Sequence, residues 1–497
     1  MLNLITDRWI PVITASGESR IISPVEMTDP EVLRPDWPRA DLDIACLEFL
    51  IGLVCLADPP ANNEDWDARR APDPPRLSSA LAPFVGAFNL LGNGQRFLQD
   101  LEPLDGNPSL PDLLFIDSAG DSTATKNADL MVRRGRYLTL DLPMAAMALY
   151  TFQAHAPAGG AGNRTSMRGG GPMVTLVEPS SDCTLWELVW ANVPAGVPGS
   201  INDLPWMRKT RVSKAPGTER VPEGNSPWSV EAFFGMPRRL RLVSEETDDG
   251  VHVTGVIQKP YGTNYVQWMH PLSPHYRVKE NTEWLPVHPK PGRFGYRNWL
   301  GIVSKRADST TSERSMSIRE GQDRLRTGCS ILVAGWAMSN MSPLDFIWSR
   351  QPMVPDDLAL EVEGLIEAAG IAASALRRSL TELLSEGEAR DLERERFYQL
   401  TETDLLGCLA DLRVGEKPET VARKWLSILR AQALKQFNAL AVPGLQEADV
   451  KVIERIVADQ KSLSLTMSGY GKLGREMFAM LNIDPPKTSK TKERKTA

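Results

Sequence analysis

Hydrophobic and polar positions divide this chain into two parts of different character. Before residue 355, short stretches that alternate apolar and polar residues stand between more continuous apolar stretches. From residue 355 to about 482, apolar residues recur at helical spacing, as at Leu405, Leu409 and Leu412. A period of two is typical of strands, and a spacing of three to four is typical of helices. We therefore predict an α+β fold, with an N-terminal mixed α/β domain (residues 1–354) followed by a C-terminal four-helix bundle (residues 355–482).

Several N-terminal elements follow from the same pattern. Residues 3–23 alternate around a glycine turn and predict a β-hairpin. Residues 41–57 are almost continuously apolar and predict a buried helix, and a second apolar helix is predicted near 79–92. Asp141 is a suitable N-cap, with Pro143 in the first turn, for a helix that runs to about residue 154.

Shorter apolar runs predict strands in the rest of this part. Leu113–Ile116 predicts a strand, and the polar run SAGDSTATKN that follows it predicts a mobile loop. Thr254–Lys259 and Asn264–Trp268 flank the sequence PYGT and predict a hairpin. Ser330–Trp336 predicts a strand that enters a tight turn with Asn340 near its tip.

Breaks near Gly387, Gly415 and Pro443 divide the predicted bundle into its helices. Two further apolar stripes are predicted to face the bundle core: Leu426, Leu429, Ala433, Phe437 and Leu440, and then Val450, Ile453 and Val457. Residues 483–497 are basic and polar, and we predict that this tail is disordered.

Charge and cysteine usage exclude several classes of protein. The formal net charge is -7, so any nucleic-acid-binding surface must be local. No run approaches the roughly 18 apolar residues of a membrane span, and MLNLITDRWIPV has charged residues and a proline too early for a signal peptide. The five cysteines are scattered and no H-E-x-x-H is present. We expect a cytoplasmic protein without membrane contact, disulfide framework, metal site or other cofactor.

A glycine-dense stretch, residues 155–172, has the sequence HAPAGGAGNRTSMRGGGP. It contains Arg164 and Arg168 and no acidic residue. Glycine lets the backbone approach a partner closely, and N–H groups beside guanidinium groups suit a phosphate or a base edge. Two other interpretations stay open: the stretch is a flexible solvent loop, or Arg168 anchors it to a carboxylate.

The sequence contains no catalytic or nucleotide-binding motif in the structural context that the motif requires. Residues 469–474 match G-x-G-x-x-G, but they lie in the helical part, without the preceding strand that a dinucleotide site needs. The chain has no G-x-x-x-x-G-K-[ST] and no G-x-S-x-G. These absences favour a binding protein over an enzyme, and the competing hypothesis of a nucleotide-dependent enzyme predicts saturable binding of ATP or GTP.

Five stretches in order resemble the CasA family, the large subunit of the type I-E CRISPR complex Cascade. They are NLITDRWIPV, APAGGAGNRTSMRGGGPMVTLVEP, IQKPYGTNYVQWMHPLSP, SILVAGWAMSNM and FYQLTETDLL. The resemblance implies a non-catalytic subunit that recognises the protospacer-adjacent motif (PAM) in double-stranded target DNA. It also implies contacts with the crRNA 5′ handle and other Cascade subunits, aid to duplex opening and R-loop formation, and recruitment of a helicase-nuclease in antiviral defence.

The resemblance also implies site residues. The DNA- and PAM-binding set comprises Ala158, Gly159, Gly160, Ala161, Gly162, Arg164, Lys259 and Asn340. The wedge that splits the duplex corresponds to Ser339 and Asn340, and the loop at the crRNA handle or PAM to Phe115, Ile116 and Asp117.

Each assignment has an alternative on the residues alone. Lys259 is also typical of an ordinary exposed hairpin lysine, Asn340 of an ordinary turn residue, and Phe115 of a core residue. Arg423, Lys424 and Lys435 form either a solvated face or a guide for the displaced strand. The alternative function is a scaffold subunit that holds the crRNA 5′ handle and docks the nuclease without reading DNA sequence.

Overall fold

The structure, a computed structural model, describes residues 2–118, 120, 125–127, 133–160, 162–224, 226–308, 310–325, 328–446 and 448–486. Ala161, half of the SAGDSTATKN run and most of the basic tail therefore lie outside the described residues. The chain forms two compact units. The first comprises residues up to 293 with 301–303 and 308–353, and the second comprises 294–300, 304–307 and the residues from 354 onwards.

The described residues of the first unit form four small antiparallel sheets. The strands are β1 (Ile10–Thr14), β2 (Ser19–Ile22), β3 (Val32–Pro35), β4 (Val174–Glu178), β5 (Arg239–Thr247), β6 (Gly250–Lys259), β7 (His275–Tyr276), β8 (Leu285–Pro286), β9 (Ser312–Glu313), β10 (Ser330–Ser339) and β11 (Ser342–Pro352). The strand orders are β2-β1-β3, β11-β10-β4, β5-β6 and β8-β7-β9.

The helices of the first unit lie between these strands in the sequence. They are α1 (Ala40–Ala57), α2 (Asn63–Ala68), α3 (Pro74–Leu81), α4 (Leu142–His155), α5 (Leu185–Ala191) and α6 (Met316–Arg324). Helix α1 is buried nearly all round, as its almost continuous apolar sequence predicts. The Asp141 side chain accepts a hydrogen bond from the Met144 N–H at 2.8 Å and caps α4.

Phe49 of α1 lies at the centre of the core of the first unit. Its ring makes edge contacts with Trp9 and Tyr150, each at a centroid distance of 5.5 Å, and with Phe97 at 5.8 Å. The side chain is fully buried. Edge-to-face packing of this kind fixes the orientation of neighbouring rings as well as burying apolar area.

The second unit is helical. It contains α7 (Ala359–Ser379), α8 (Gly387–Arg413), α9 (Pro418–Ala441), α10 (Val450–Met467) and the short α11 (Gly471–Met480). The Trp425 Nε1–H donates to the Leu365 carbonyl at 2.9 Å and ties α9 to α7. The predicted α+β fold class is confirmed, and four long helices lie in the described C-terminal residues. None of the helices in the described ranges is both long and apolar enough to cross a bilayer.

Two predicted elements of the first unit are wrong. Leu113–Ile116 is not a strand, because Pro111–Leu114 forms a 3-10 turn closed by the Leu113 N–H and the Leu110 carbonyl. Thr254–Lys259 does not pair with Asn264–Trp268; it belongs to β6, whose partner is the upstream β5. The local sequence pattern favours Asn264–Trp268 as the partner of β6, but the pairing of a strand depends on the whole sheet.

Two helical predictions also need correction. The helix expected near 79–92 ends at Leu81 and continues as a 3-10 turn, Ala82–Ala87, that contains Pro83. Val450 and Val457 are 70% and 54% exposed, so the stripe assigned to α10 faces solvent. The buried face of α10 carries Ile456, Leu463 and Met467 instead.

We predict that Phe49→Ala lowers the free energy of unfolding of the first unit by about 3–5 kcal/mol, because it removes a buried ring and leaves a cavity. Chemical denaturation followed by tryptophan fluorescence measures the change. Val278→Ala is the control, since Val278 is 70% exposed and its truncation should shift the midpoint little. Equal midpoints for Phe49→Ala and wild type would show that this ring cluster is not the core.

Candidate nucleic-acid interface

The tip of the glycine loop, residues 156–173 between α4 and β4, is held by its own backbone. The Gly159 N–H donates to the Asn163 carbonyl at 3.3 Å, and the Asn163 N–H donates to the Gly160 carbonyl at 2.8 Å. Ala158, Gly159 and Gly160 are exposed. Gly160 has φ +67°, and a Cβ at this position would meet no atom within 4 Å. The tip thus presents thin backbone with open space in front of it.

Tyr261 closes the other side of the loop. Its N–H donates to the Gly162 carbonyl at 2.9 Å. A Cβ on Gly162 would lie 2.6 Å from Tyr261 Cε1, so the ring packs directly against bare backbone. Tyr261 itself has φ +63°, which is uncommon for an aromatic residue. This contact joins the glycine loop to the segment that follows β6.

Both ends of the loop bind one buried carboxylate, that of Glu48 on α1. His155 Nε2, at the end of α4, lies 2.7 Å from Glu48 Oε1. Arg168 Nη2, near the far end of the loop, donates to Glu48 Oε2 at 2.6 Å. The side chains of Glu48 and His155 are fully buried, and that of Arg168 is 3% exposed. The interpretation of Arg168 as an anchor to a carboxylate is therefore confirmed.

Charge stabilises this buried cluster. Burial alone raises the pKa of the Glu48 carboxyl, but the charges of Arg168 and His155 outweigh burial and lower this pKa to about 2. Burial, reinforced by Arg168, lowers the pKa of His270 well below its usual value. Glu48 is thus ionised across the physiological range, and its attraction for Arg168 is not screened by solvent.

Lys259, the last residue of β6, is half-buried and lies opposite Arg239. Arg239 is held by Asp100, with Nε 2.6 Å from Oδ2. The Lys259 ammonium group has no hydrogen-bond or ion-pair partner within the described ranges. It lies two residues before Tyr261, so the strand end and the glycine loop are brought together.

A hairpin tip completes this group. Ser339 pairs with Ser342, so Asn340 and Met341 are the two central residues of the turn between β10 and β11. Their φ values are +47° and +65°, as in a type I′ turn. Asn340 is therefore at the tip, as predicted, and the neighbouring Met341 side chain is 49% exposed.

The hairpin is packed against the far end of the glycine loop. Met338 Sδ lies 3.2 Å from the position of a Cβ on Gly170, and the Trp336 carbonyl oxygen lies 2.4 Å from that of a Cβ on Gly171. These two glycines therefore allow close packing, whereas Gly160 faces open space. Asn340 and Met341, two and three residues after Met338, are exposed.

The stretch Phe115–Asp117 is not brought to the same exposed surface. Phe115 and Ile116 are each 2% exposed, and the Phe115 ring stacks on Tyr137 at a centroid distance of 4.0 Å. Burial raises the pKa of the Asp117 carboxyl, but hydrogen bonds and charge from Arg136 and Arg39 outweigh it and lower this pKa to about 2. Phe115 and Ile116 are therefore packed inside their own unit, and Asp117 is held by two arginines.

Arg164 has a structural contact too. Its Nη2 donates to the Ser213 carbonyl, and the Ser213 N–H donates to the Tyr261 carbonyl at 3.0 Å. The sequence pattern missed Tyr261, Met341 and Glu48. For Met341, the sequence signal was an apolar residue next to Asn340 in a predicted turn. Glu48 had no local sequence signal, because it pairs with two residues that are distant in the chain.

We predict that Glu48→Gln destabilises the first unit by about 3–5 kcal/mol near pH 7, because it leaves the Arg168 charge buried without its partner. The folded pKa of Glu48 is depressed, so its stabilisation is complete above the ordinary pKa of 4.5 and is lost as pH falls toward about 2. Thermal unfolding at pH 7 and pH 3 measures both effects. The difference between wild type and variant should shrink at pH 3.

Glu178→Gln is the matched control. Glu178 is also buried, but its partner Arg350 is 57% exposed, so water can solvate the unpaired guanidinium group. The control should cost about 0–1 kcal/mol. A Glu48→Gln cost no larger than that of Glu178→Gln, or one independent of pH, would contradict the anchoring role.

Within the described residues, no group of three or more His, Cys, Asp or Glu side chains is placed to hold a metal ion. The Lys259 ammonium group is unpaired within the same residues. The arrangement offers instead thin backbone at Gly160, this ammonium group, and an exposed turn at Asn340. Such groups suit recognition of a nucleic-acid groove and backbone.

Comparisons with known proteins show which structures the fold resembles. The structure is similar to CasA from Thermus thermophilus, with a TM-score of 0.70 and 18% identity over 93% of this chain and 99% of that chain. It is also similar to Cse1 from Acidimicrobium ferrooxidans, with a TM-score of 0.68 and 19% identity over 97% and 98% of the two chains. A chain from a structure described as a CRISPR RNA-guided surveillance complex matches with a TM-score of 0.68 and 15% identity over 93% and 99%.

At these identities the structural matches establish the fold. The family follows from the sequence profile described as "CRISPR-associated protein Cse1 (CRISPR_cse1)", which matches residues 3–436. That range includes the glycine loop, Lys259 and the hairpin tip. The chain therefore belongs to the Cse1 family of CRISPR-associated proteins, as its sequence resemblance to CasA predicted.

Proposed function

We propose that this chain is a non-catalytic subunit of a CRISPR RNA-guided surveillance complex of the Cascade type, and that it recognises the PAM in double-stranded DNA. The observation that carries the proposal is that two elements pack against the glycine loop, whose tip at Gly160 is exposed: the segment that follows the half-buried Lys259, and the hairpin that ends in the exposed turn at Asn340. A protein with this role acts in the cytoplasm.

The minor groove is the part of DNA that these features fit. It is narrow, and it presents a degenerate set of acceptors that separates A·T from G·C pairs. Ala158, Gly159 and Gly160 are exposed and bear no side chain larger than methyl, so backbone can enter such a groove. Lys259 supplies a donor for which no described residue competes. Ala161 and Gly162 belong to the same proposed surface, with Gly162 set against Tyr261.

Duplex opening is assigned to the hairpin tip. Minor-groove proteins insert side chains between base steps, and unstacking a step costs a few kcal/mol. Asn340, with Ser339 before it, supplies the amide wedge, and the half-exposed Met341 adds an apolar group at the same tip. Guide RNA pairing roughly balances the DNA pairing it replaces. The subunit therefore lowers the cost of the first opened base pairs and promotes R-loop formation.

Other partners follow from the same role. The crRNA 5′ handle, the other subunits and a recruited helicase-nuclease are proposed partners in antiviral defence. Since Phe115 and Ile116 are packed in the core and Asp117 is held by two arginines, we propose that this stretch positions the residues after it for contact with the RNA handle or the PAM region.

We predict that Lys259→Ala and Asn340→Ala, each in the assembled complex, weaken binding to PAM-containing duplex by roughly 5- to 150-fold, the effect of about 1–3 kcal/mol of lost groove contact. Gel-shift titration at fixed salt measures the affinity, and 2-aminopurine fluorescence next to the PAM measures opening. Lys472→Ala is the control, because Lys472 is an exposed lysine of the second unit. Unchanged affinity and opening in both test variants would contradict the site assignment.

Gly160→Asn separates this proposal from the scaffold alternative. Asparagine tolerates positive φ, and the position has no neighbour within 4 Å of a Cβ, so the fold should persist. A side chain there obstructs a groove-reading tip and should abolish PAM preference. A scaffold that holds the crRNA 5′ handle would keep the binding behaviour of the wild-type complex.

A further inference from the structure

A basic segment lies directly beside the glycine loop. Residues 208–214 have the sequence RKTRVSK, with four basic residues and no acidic one. The segment forms no helix or strand. Its Ser213 carbonyl accepts a hydrogen bond from the Arg164 guanidinium group, and the Ser213 N–H donates to the Tyr261 carbonyl. The segment is therefore fastened to the same two features, the glycine loop and Tyr261, that form the proposed PAM surface.

Three of the four cations in this segment are exposed and have no carboxylate partner among the described residues. Lys209, Arg211 and Lys214 are exposed, and none of them pairs with a carboxylate in the part of the chain that the structure describes. Arg211 Nη1 lies 3.4 and 3.3 Å from the carbonyls of Thr218 and Glu219, which restrains the side chain and leaves its other donors available to a ligand. Lys214 Nζ lies 5.6 Å from the centroid of the Tyr261 ring.

The fourth cation, Arg208, is also exposed, but it is paired with a buried carboxylate. Arg208 Nη2 donates to Glu231 Oε2 at 2.9 Å, and Arg220 Nη2 donates to the same oxygen at 2.8 Å. The Glu231 side chain is 2% exposed. Its charge is thus neutralised by two guanidinium groups, and it does not offset the exposed cations beside it.

The first four residues of the segment line an open recess. It has a volume of about 300 Å³ and is lined by Arg208, Lys209, Thr210 and Arg211 together with Glu231, Met236 and Thr263. A water molecule occupies about 30 Å³ in the liquid, so the recess has room for a phosphate group and several waters. Cationic donors at its rim and a neutralised carboxylate at its wall favour an anion.

We propose that Lys209, Arg211 and Lys214 form a phosphate-binding tract for the backbone of the double-stranded DNA that continues past the sequence read by the glycine loop. The inference rests on the proposed function, because the duplex reaches the tract by way of the loop. Phosphate contacts fix register and orientation and carry no sequence information. In a protein of net charge -7, a local tract supplies the counter-charge that groove reading requires.

The triple variant Lys209→Gln, Arg211→Gln, Lys214→Gln, assembled in the complex, tests this inference. Binding of short duplexes with favoured and disfavoured PAMs is measured between about 50 and 200 mM salt. We expect affinity at about 150 mM salt to fall roughly 10-fold or more for every duplex, with the ranking of PAMs unchanged. The slope of log K against log salt should become shallower by about 2–3, since each lost phosphate contact contributes about 0.9.

The control triple variant is Lys451→Gln, Lys461→Gln, Lys472→Gln, which removes the same charge from exposed positions of the second unit. It should keep the wild-type affinity and slope. An unchanged slope and affinity in the test variant would overturn the tract, and so would a loss confined to one PAM. Failure of the test variant to assemble on crRNA, with its unfolding midpoint unchanged, would also overturn it, because the segment would then bind RNA or a subunit.

The tract and the proposed function fail in different ways. If the wild-type complex shows no PAM ranking, the proposed function is wrong whatever the salt slopes are. If the ranking is present and depends on Lys259, but the triple variant retains the wild-type slope, the tract alone is wrong.

Discussion

The ion pair between Glu48 and Arg168 is the constraint on which the proposed DNA-binding surface depends. A charged carboxylate in a protein core is stable only when it is paired and hydrogen-bonded. Glu48 meets that need by binding His155 on one side and Arg168 on the other, and these residues flank the glycine loop. The same interaction that satisfies a buried charge therefore fixes both ends of an exposed loop. A loop held at its base in this way can present a thin tip without losing its shape, and preorganisation lowers the cost of binding.

The division between buried anchors and exposed tips is repeated around the site. Arg238 is buried and donates to the Pro157 carbonyl, so it holds the loop. Burial lowers its pKa to about 10. Asp41 accepts from Trp336 Nε1 at 3.2 Å and pairs with Arg39 at 2.8 Å, which ties α1 to the hairpin strand and to Asp117. Most arginines near the site are thus structural, and the groups left for a ligand are the backbone at Gly160, the amine of Lys259, the hairpin turn and the cations of residues 208–214.

The sequence predicted best what local physics decides. Helix α1, the capped start of α4, the turn at Asn340 and the helical character of the second unit follow from periodicity and turn chemistry over a few neighbouring residues. The failures involve the surroundings of a segment. Leu113–Ile116 has the apolar pattern of a strand but begins in a 3-10 turn. Asn264–Trp268 does not pair with β6, because β6 pairs with the upstream strand β5. Phe115 lies in the core, as its residue type alone indicated. Glu48 gave no sequence signal because its partners are more than 100 residues away.

The most direct measurement of the central claim is target-duplex binding by surveillance complexes assembled with and without this chain, using a library with a randomised PAM at one fixed salt concentration. The account predicts that sequence preference next to the target appears only when the chain is present, since the loop tip and Lys259 supply the groove contacts. Identical sequence preference in complexes that lack the chain would contradict it, and the exposed features above Glu48 would then have no part in reading DNA.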